Sequence, residues 1–167
     1  MKRSLNRLGG VAGLTLVLCI AACSDSPPAG NEDKSDGDAV APSPIATRQA
    51  GFKKIGAANK AIGDTLKTEA PSAELIRTNA GIIAELAPQV HTWFPEGSGP
   101  GSGQETAALP AVWERRPEFD LRTTEFTAAT AALEAAVSAG DPGQVRTAAE
   151  ALGQTCKSCH TAFRAKK

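Results

Sequence analysis

The chain has little with which to build a metal cluster, a disulfide framework or a sheet. Its 167 residues hold four cysteines and two histidines. A structural zinc site normally takes four Cys or His ligands in two separated pairs. Only one Cys-x-x-Cys pair is present, and besides His160 the sole histidine is His91, so zinc is disfavoured. Alternating β-branched runs are missing, which argues against strands. No charge is in excess: eighteen basic residues balance eighteen acidic ones, so nothing marks the chain for nucleic acid. The apolar run from Leu8 to Ala22 is too short for a membrane span. Methionine occurs once, at Met1.

That apolar run follows Lys2, Arg3 and Arg7 and reads as a secretory leader over residues 1–22. It ends in Ile20-Ala21-Ala22-Cys23, which resembles the bacterial lipobox. In such leaders the cysteine becomes the lipid-bearing first residue of the mature chain, so Cys23 is expected to be lipidated. The expected location is the periplasmic side of a bacterial membrane, and Ser24 after Cys23 favours the outer one. Residues 23–44 then read as a lipid-anchored disordered tether. Four prolines, two glycines and five acids stand there against one base, Lys34, too little apolar surface to fold. Cys19 would leave with the leader. With Cys23 lipidated, only Cys156 and Cys159 would remain as thiols, and no structural disulfide is expected even where the compartment permits one.

Those two cysteines carry the chemistry. Cys156-Lys157-Ser158-Cys159-His160 is the c-type haem attachment pattern. Two thiols add across the haem vinyl groups, and the adjacent imidazole ligates iron from below the ring. On a helix Cys156, Cys159 and His160 share one face. A thioredoxin-like pair is the rival reading. Reactive pairs favour helix N-termini, where the dipole stabilises a thiolate; this one stands near a helix end, and no βαβ pattern accompanies it. One covalently bound haem c is the expected cofactor.

Residues 45–167 are the length of one domain with one core and read as four helices. In the first, Ile45, Phe52, Ile55, Ile62 and Leu66 form a stripe. The second opens near Pro71-Ser72 and is expected to bury Leu75, Ile82, Leu86 and Val90. The third opens near Pro117 and repeats Phe119, Phe126, Leu133 and Val137. The fourth starts at Asp141-Pro142, an N-cap followed by Pro at the first helical position, and runs through Val145, Ala148 and Leu152 into the haem motif. A long Gly/Pro stretch, Pro95 to Ala111, joins the second and third. The expected fold is all-α, an up-down-up-down antiparallel four-helix bundle with haem at the end near the C-terminus. That topology gathers Phe52, Trp93, Phe94, Trp113, Phe119 and Phe163 at one end, with Phe126 further in. A flat apolar cofactor there would account for it.

Three stretches resemble the class II c-type cytochromes, cytochrome c′ and cytochrome c-556. They are Arg48 to Ala57; Phe94-Pro95-Glu96-Gly97-Ser98 with Leu109-Pro110-Ala111-Val112-Trp113; and Cys156 to Arg164. The resemblance covers nearly all of the helical domain and none of the leader or tether. It implies a helix-one residue on the distal side of the haem, a methionine in c-556-like members and an apolar guard in c′-like ones. Here Phe52 stands at that position, and Met1 would leave with the leader. The implied state is a five-coordinate haem ligated by His160 with Phe52 over the other face. The resemblance also implies that Arg48, with Gln49 beside it, approaches a haem propionate. Arg164, four residues after His160, would act near the proximal side.

The function so implied is one-electron transfer with periplasmic partners, binding of NO or CO, or both, without enzyme activity. Two alternatives stand: a low-spin electron carrier ligated by His91 and His160, and a haem-free helical interaction module. A homodimer on the first two helices is possible by resemblance, although outward residues such as Lys53, Lys60 and Arg77 give no apolar seam.

Overall fold

The computed structural model describes residues 41–166. The expected leader, Cys19, Cys23 and nearly all of the tether lie outside those residues. Five α-helices follow in order: α1 (Pro44–Thr65), α2 (Ala73–Leu86), a short α3 (Ala111–Glu114), α4 (Arg116–Ala139) and α5 (Pro142–Phe163). A 3-10 helix, Ala87–Trp93, continues α2. Helices α1, α2, α4 and α5 form the expected four-helix bundle; α1 lies on α2, α4 on α5, and α2 on α4.

Local chemistry sets the ends. Ser43 caps α1, its Oγ accepting from the Ala46 N–H, with Pro44 in the first turn. Ser43 thus belongs to the folded domain rather than to the tether. Ser72 caps α2 in the same way. Gly140 closes α4 at φ +74°, a left-handed position that glycine takes without strain. Asp141 then caps α5, accepting from the N–H groups of Gly143 and Gln144. Pro88 has no N–H to continue the α ladder, and the chain there tightens into the 3-10 helix.

The core keeps the expected stripes of α1, α4 and α5, with Ile55, Ile62, Phe119, Leu133 and Leu152 among its buried residues. On α2 the expected face is wrong by one residue. Ile76, Ala80 and Ile83 are buried, continuing through Ala87 and Val90, while Leu75 is 39% exposed. Ile82 and Leu86 only flank the core. The helix carries adjacent apolar pairs, Leu75-Ile76 and Ile82-Ile83, so periodicity alone admits either face; packing against α1 and α4 selects one.

The Gly/Pro stretch is tied to the end of α5. Leu109 N–H donates to Phe163 O (2.9 Å) and Ala165 N–H to Ala107 O (2.8 Å). This single bridge pins the stretch beside the last turn of that helix, next to the cysteines.

Candidate haem site

The bundle end holding the haem motif is hollow. A cavity of about 620 Å³ opens there between α1, α4 and α5. Phe52, Ile55, Val90, Phe94, Phe119, Phe126 and Phe163 give it apolar walls, and Cys156, Cys159 and His160 line it from α5. The aromatic side chains meet edge to face: Phe94 with Phe119 at 4.9 Å, Phe119 with Phe163 at 5.4 Å and Phe52 with Trp93 at 5.2 Å between ring centres. The aromatic end expected from topology is therefore real, and it surrounds a space rather than filling it.

Cys156 and Cys159 are free thiols. Burial pushes both thiols up, Cys159 to about 11. They are protonated at neutral pH, which suits S–H addition to a vinyl group and not thiolate exchange. His160 stands exposed on the rim. Partial burial and then the charge of Arg164 hold its imidazole below the ordinary value, favouring the neutral form that can ligate a metal.

Arg48 and Gln49 also line the cavity, but their polar groups reach the Gly/Pro stretch. Arg48 is 3% exposed. Its Nη1 donates to Ser98 Oγ (3.0 Å), and its Nη2 to Ser98 O and Thr106 Oγ1 (both 2.7 Å). The guanidinium also lies over the Phe94 ring at 4.9 Å, and burial lowers its pKa. Gln49 Nε2 donates to Glu105 O. Arg164 lines the cavity rim from the end of α5. His91 does not line the cavity; it is exposed on the 3-10 helix, and its carbonyl accepts from Arg116.

Sequence reasoning misses two residues. Arg122 lines the cavity from α4; its Nη1 pairs with Glu125 (2.8 Å) while its buried Nε–H has no partner among the described residues. It falls between Phe119 and Phe126 on one helix face, a spacing that could have identified it. Trp93 reads in the sequence as one more aromatic, yet it is 5% exposed and abuts Phe52.

The family model for cytochrome C′ matches residues 43–164. The chain belongs to the cytochrome c′ family. Among its relatives is cytochrome c′ of Rhodopseudomonas palustris, 35% identical over 124 residues, which cover 74% of this chain and 82% of that one. The crystal structure of cytochrome c′ from Thermochromatium tepidum superposes with a TM-score of 0.68 at 27% identity, covering 74% of this chain and 95% of that one. A nitric oxide complex of a variant of cytochrome c prime from Alcaligenes xylosoxidans matches with a TM-score of 0.64, 27% identity and coverage of 74% and 94%. The cofactor of this cytochrome c′ family member is one covalently attached haem c. The residues present fit it: two protonated thiols and an imidazole on one helix face, apolar walls, and a buried N–H on Arg122 still to be satisfied.

Proposed function

We propose that Cys156 and Cys159 would hold haem c by two thioethers, that His160 would be the one side chain to ligate its iron, and that Phe52 would cover the side of the site away from His160. The protein then exchanges single electrons and takes up a small neutral diatomic such as NO or CO. One observation carries the reading: among the described residues the cavity wall holds a single histidine and no methionine, with Phe52 on α1. His91, the rival ligand, lies outside that wall.

When bound, haem c supplies a one-electron centre and a seat for a diatomic ligand. The chain's own residues do the rest. Cys156 and Cys159 fix the cofactor's position, and α5 presents His160 in register with them, one turn after Cys156. Phe52, Val90, Phe94 and Phe126 make the wall apolar, so an anion would lose its hydration there without replacement. A neutral diatomic loses far less. Arg48, Lys53, Arg122 and Arg164 give the lining four cations and no carboxylate, a field that suits the negative charge of haem carboxylates. With its terminal nitrogens given to the loop, Arg48 acts chiefly through that field. Arg122 offers the free donor. A nitric oxide complex in the Alcaligenes xylosoxidans protein supports the gas-binding half of this reading.

Ferric EPR and optical spectra test the ligation. A high-spin signal is expected, unchanged in His91→Ala; a purely low-spin six-coordinate spectrum overturns it. Anaerobic addition of NO to the reduced protein tests gas binding, and no spectral change would leave electron transfer alone.

The leader pattern supports a second part of the reading: Cys23 bears lipid, residues 23–42 tether the haem domain, and it works on the periplasmic side of a bacterial membrane. Expression of Cys23→Ser in a cytochrome-maturing host checks this. The variant should leave the membrane fraction, and retention there would sink the anchor.

A further inference from the structure

Phe52 does not stand free at the cavity. Trp93 meets it edge to face at 5.2 Å with an interplanar angle of 89°, and Phe94 lies 6.1 Å away. Trp93 itself has no room to retreat. A methyl group built on Gly51 would lie 2.7 Å from Cζ2 and Cζ3 of the indole and nearer still to Cη2. The indole is thus seated directly on the backbone of α1, one residue before Phe52. Being 5% exposed and the last residue of the 3-10 helix, it is confined on its remaining sides.

We infer that Trp93 is a positioning residue: it closes one direction in which Phe52 could turn away from the cavity, and so sets how readily a neutral diatomic enters. The inference rests on the reading that Phe52 covers the haem face opposite His160. A side chain over a binding face can yield only into space that exists, and a packed interior offers little. With the indole braced on Gly51, the flank of Phe52 nearest the 3-10 helix is a wall. Ligand entry then requires either the remaining directions or displacement of both rings together. The spacing of these residues in sequence, 51, 52 and 93, hides this arrangement; only the 3-10 helix brings the indole back to α1.

The test uses holoprotein and CO association followed by flash photolysis. Wild type is compared with Trp93→Leu, Trp93→Phe, Phe52→Ala and the double variant Phe52→Ala/Trp93→Leu. An edge-to-face pair corresponds to roughly a three- to tenfold factor, so Trp93→Leu should bind CO about that much faster. Trp93→Phe should lie between, and it serves alone if the leucine variant does not fold. In the Phe52→Ala background the leucine change should add nothing. A second readout is independent of the CO kinetics: the flip rate of the labelled Phe52 ring, seen by NMR in the diamagnetic ferrous CO form, should rise in Trp93→Leu. If Phe52→Ala speeds association but Trp93→Leu lowers only the melting temperature, Trp93 is merely structural and the inference falls alone. It falls in the same way if Trp93→Leu acts equally in both backgrounds. If Phe52→Ala leaves the CO rate unchanged, the assignment of Phe52 falls, and the inference with it.

Discussion

Glycine at position 51 is a steric requirement rather than a helix preference. In the middle of α1 it costs about 0.5–1 kcal/mol relative to alanine, and the compensation is the buried indole that rests on it. Gly51→Ala therefore puts a methyl group into space that Trp93 occupies. It should lower stability by about 1–3 kcal/mol, the usual range for overpacking. Gly63→Ala is the matched control, since nothing lies within 4 Å of the new methyl; it should stabilise by about 0.5–1 kcal/mol. Denaturant unfolding of both variants checks the pair, and equal effects would refute the steric account. Both glycines look alike in the sequence. Their difference arises from a residue some forty positions away, which no local pattern reports.

At the level of elements, two devices hold the site's boundaries. Asp141 starts α5, the helix that bears the haem motif, and accepts from the Gln144 and Gly143 N–H groups. Those bonds lower its pKa from the ordinary 3.8. A depressed carboxylate contributes stability above its unfolded value and loses it as pH falls through the folded one. Asp141→Ala should therefore melt below wild type at neutral pH, with the gap closing once the pH drops below about 4; a gap that persists in acid would show the cap is not electrostatic. Arg48 is the second device, strapping the Gly/Pro stretch to α1 through Ser98 and Thr106. Lysine cannot reproduce that fork. Arg48→Lys should speed exchange of the Ser98 and Ala108 amides roughly tenfold or more, the equivalent of a lost charged hydrogen bond, and leave α4 amides unchanged. Hydrogen exchange with mass or NMR detection decides it. The cap is legible, because Asp-Pro before a periodic run is a local signal. The strap is not: resemblance assigns the same arginine to the haem, and its terminal nitrogens are bonded to the loop.

At the largest scale, the described residues form a bundle with one end left for a cofactor. The cavity of about 620 Å³ opens to solvent and has largely apolar walls, which would meet water wherever haem does not cover them. Burial of haem against those walls is therefore expected to contribute to the packing and stability of this end. Cys156→Ala/Cys159→Ala, purified without covalent haem, should bind a hydrophobic dye, lose near-ultraviolet CD and retain most far-ultraviolet helix signal. A cooperative melt matching that of the holoprotein would contradict this. The four long helices and their antiparallel order are readable because short loops and apolar stripes are near-neighbour properties; the short α3 and the 3-10 helix are not. The buried face of α2 is not, since its adjacent apolar pairs satisfy both registers.

The order of residues alone brings the two thiols and the imidazole of the attachment motif together, because five neighbouring positions span little more than one helical turn whatever surrounds them. It also determined the four long helices and the Asp141 cap of α5, whose signals act over three or four residues. Only the tertiary structure decided which atoms complete the site. Arg48 meets Ser98 across 50 positions, Trp93 settles on Gly51, and the buried Nε–H of Arg122 is left for a partner that the described residues do not supply. Such contacts depend on the free energy of packing whole helices against one another, and that quantity is not written in any short stretch of chain.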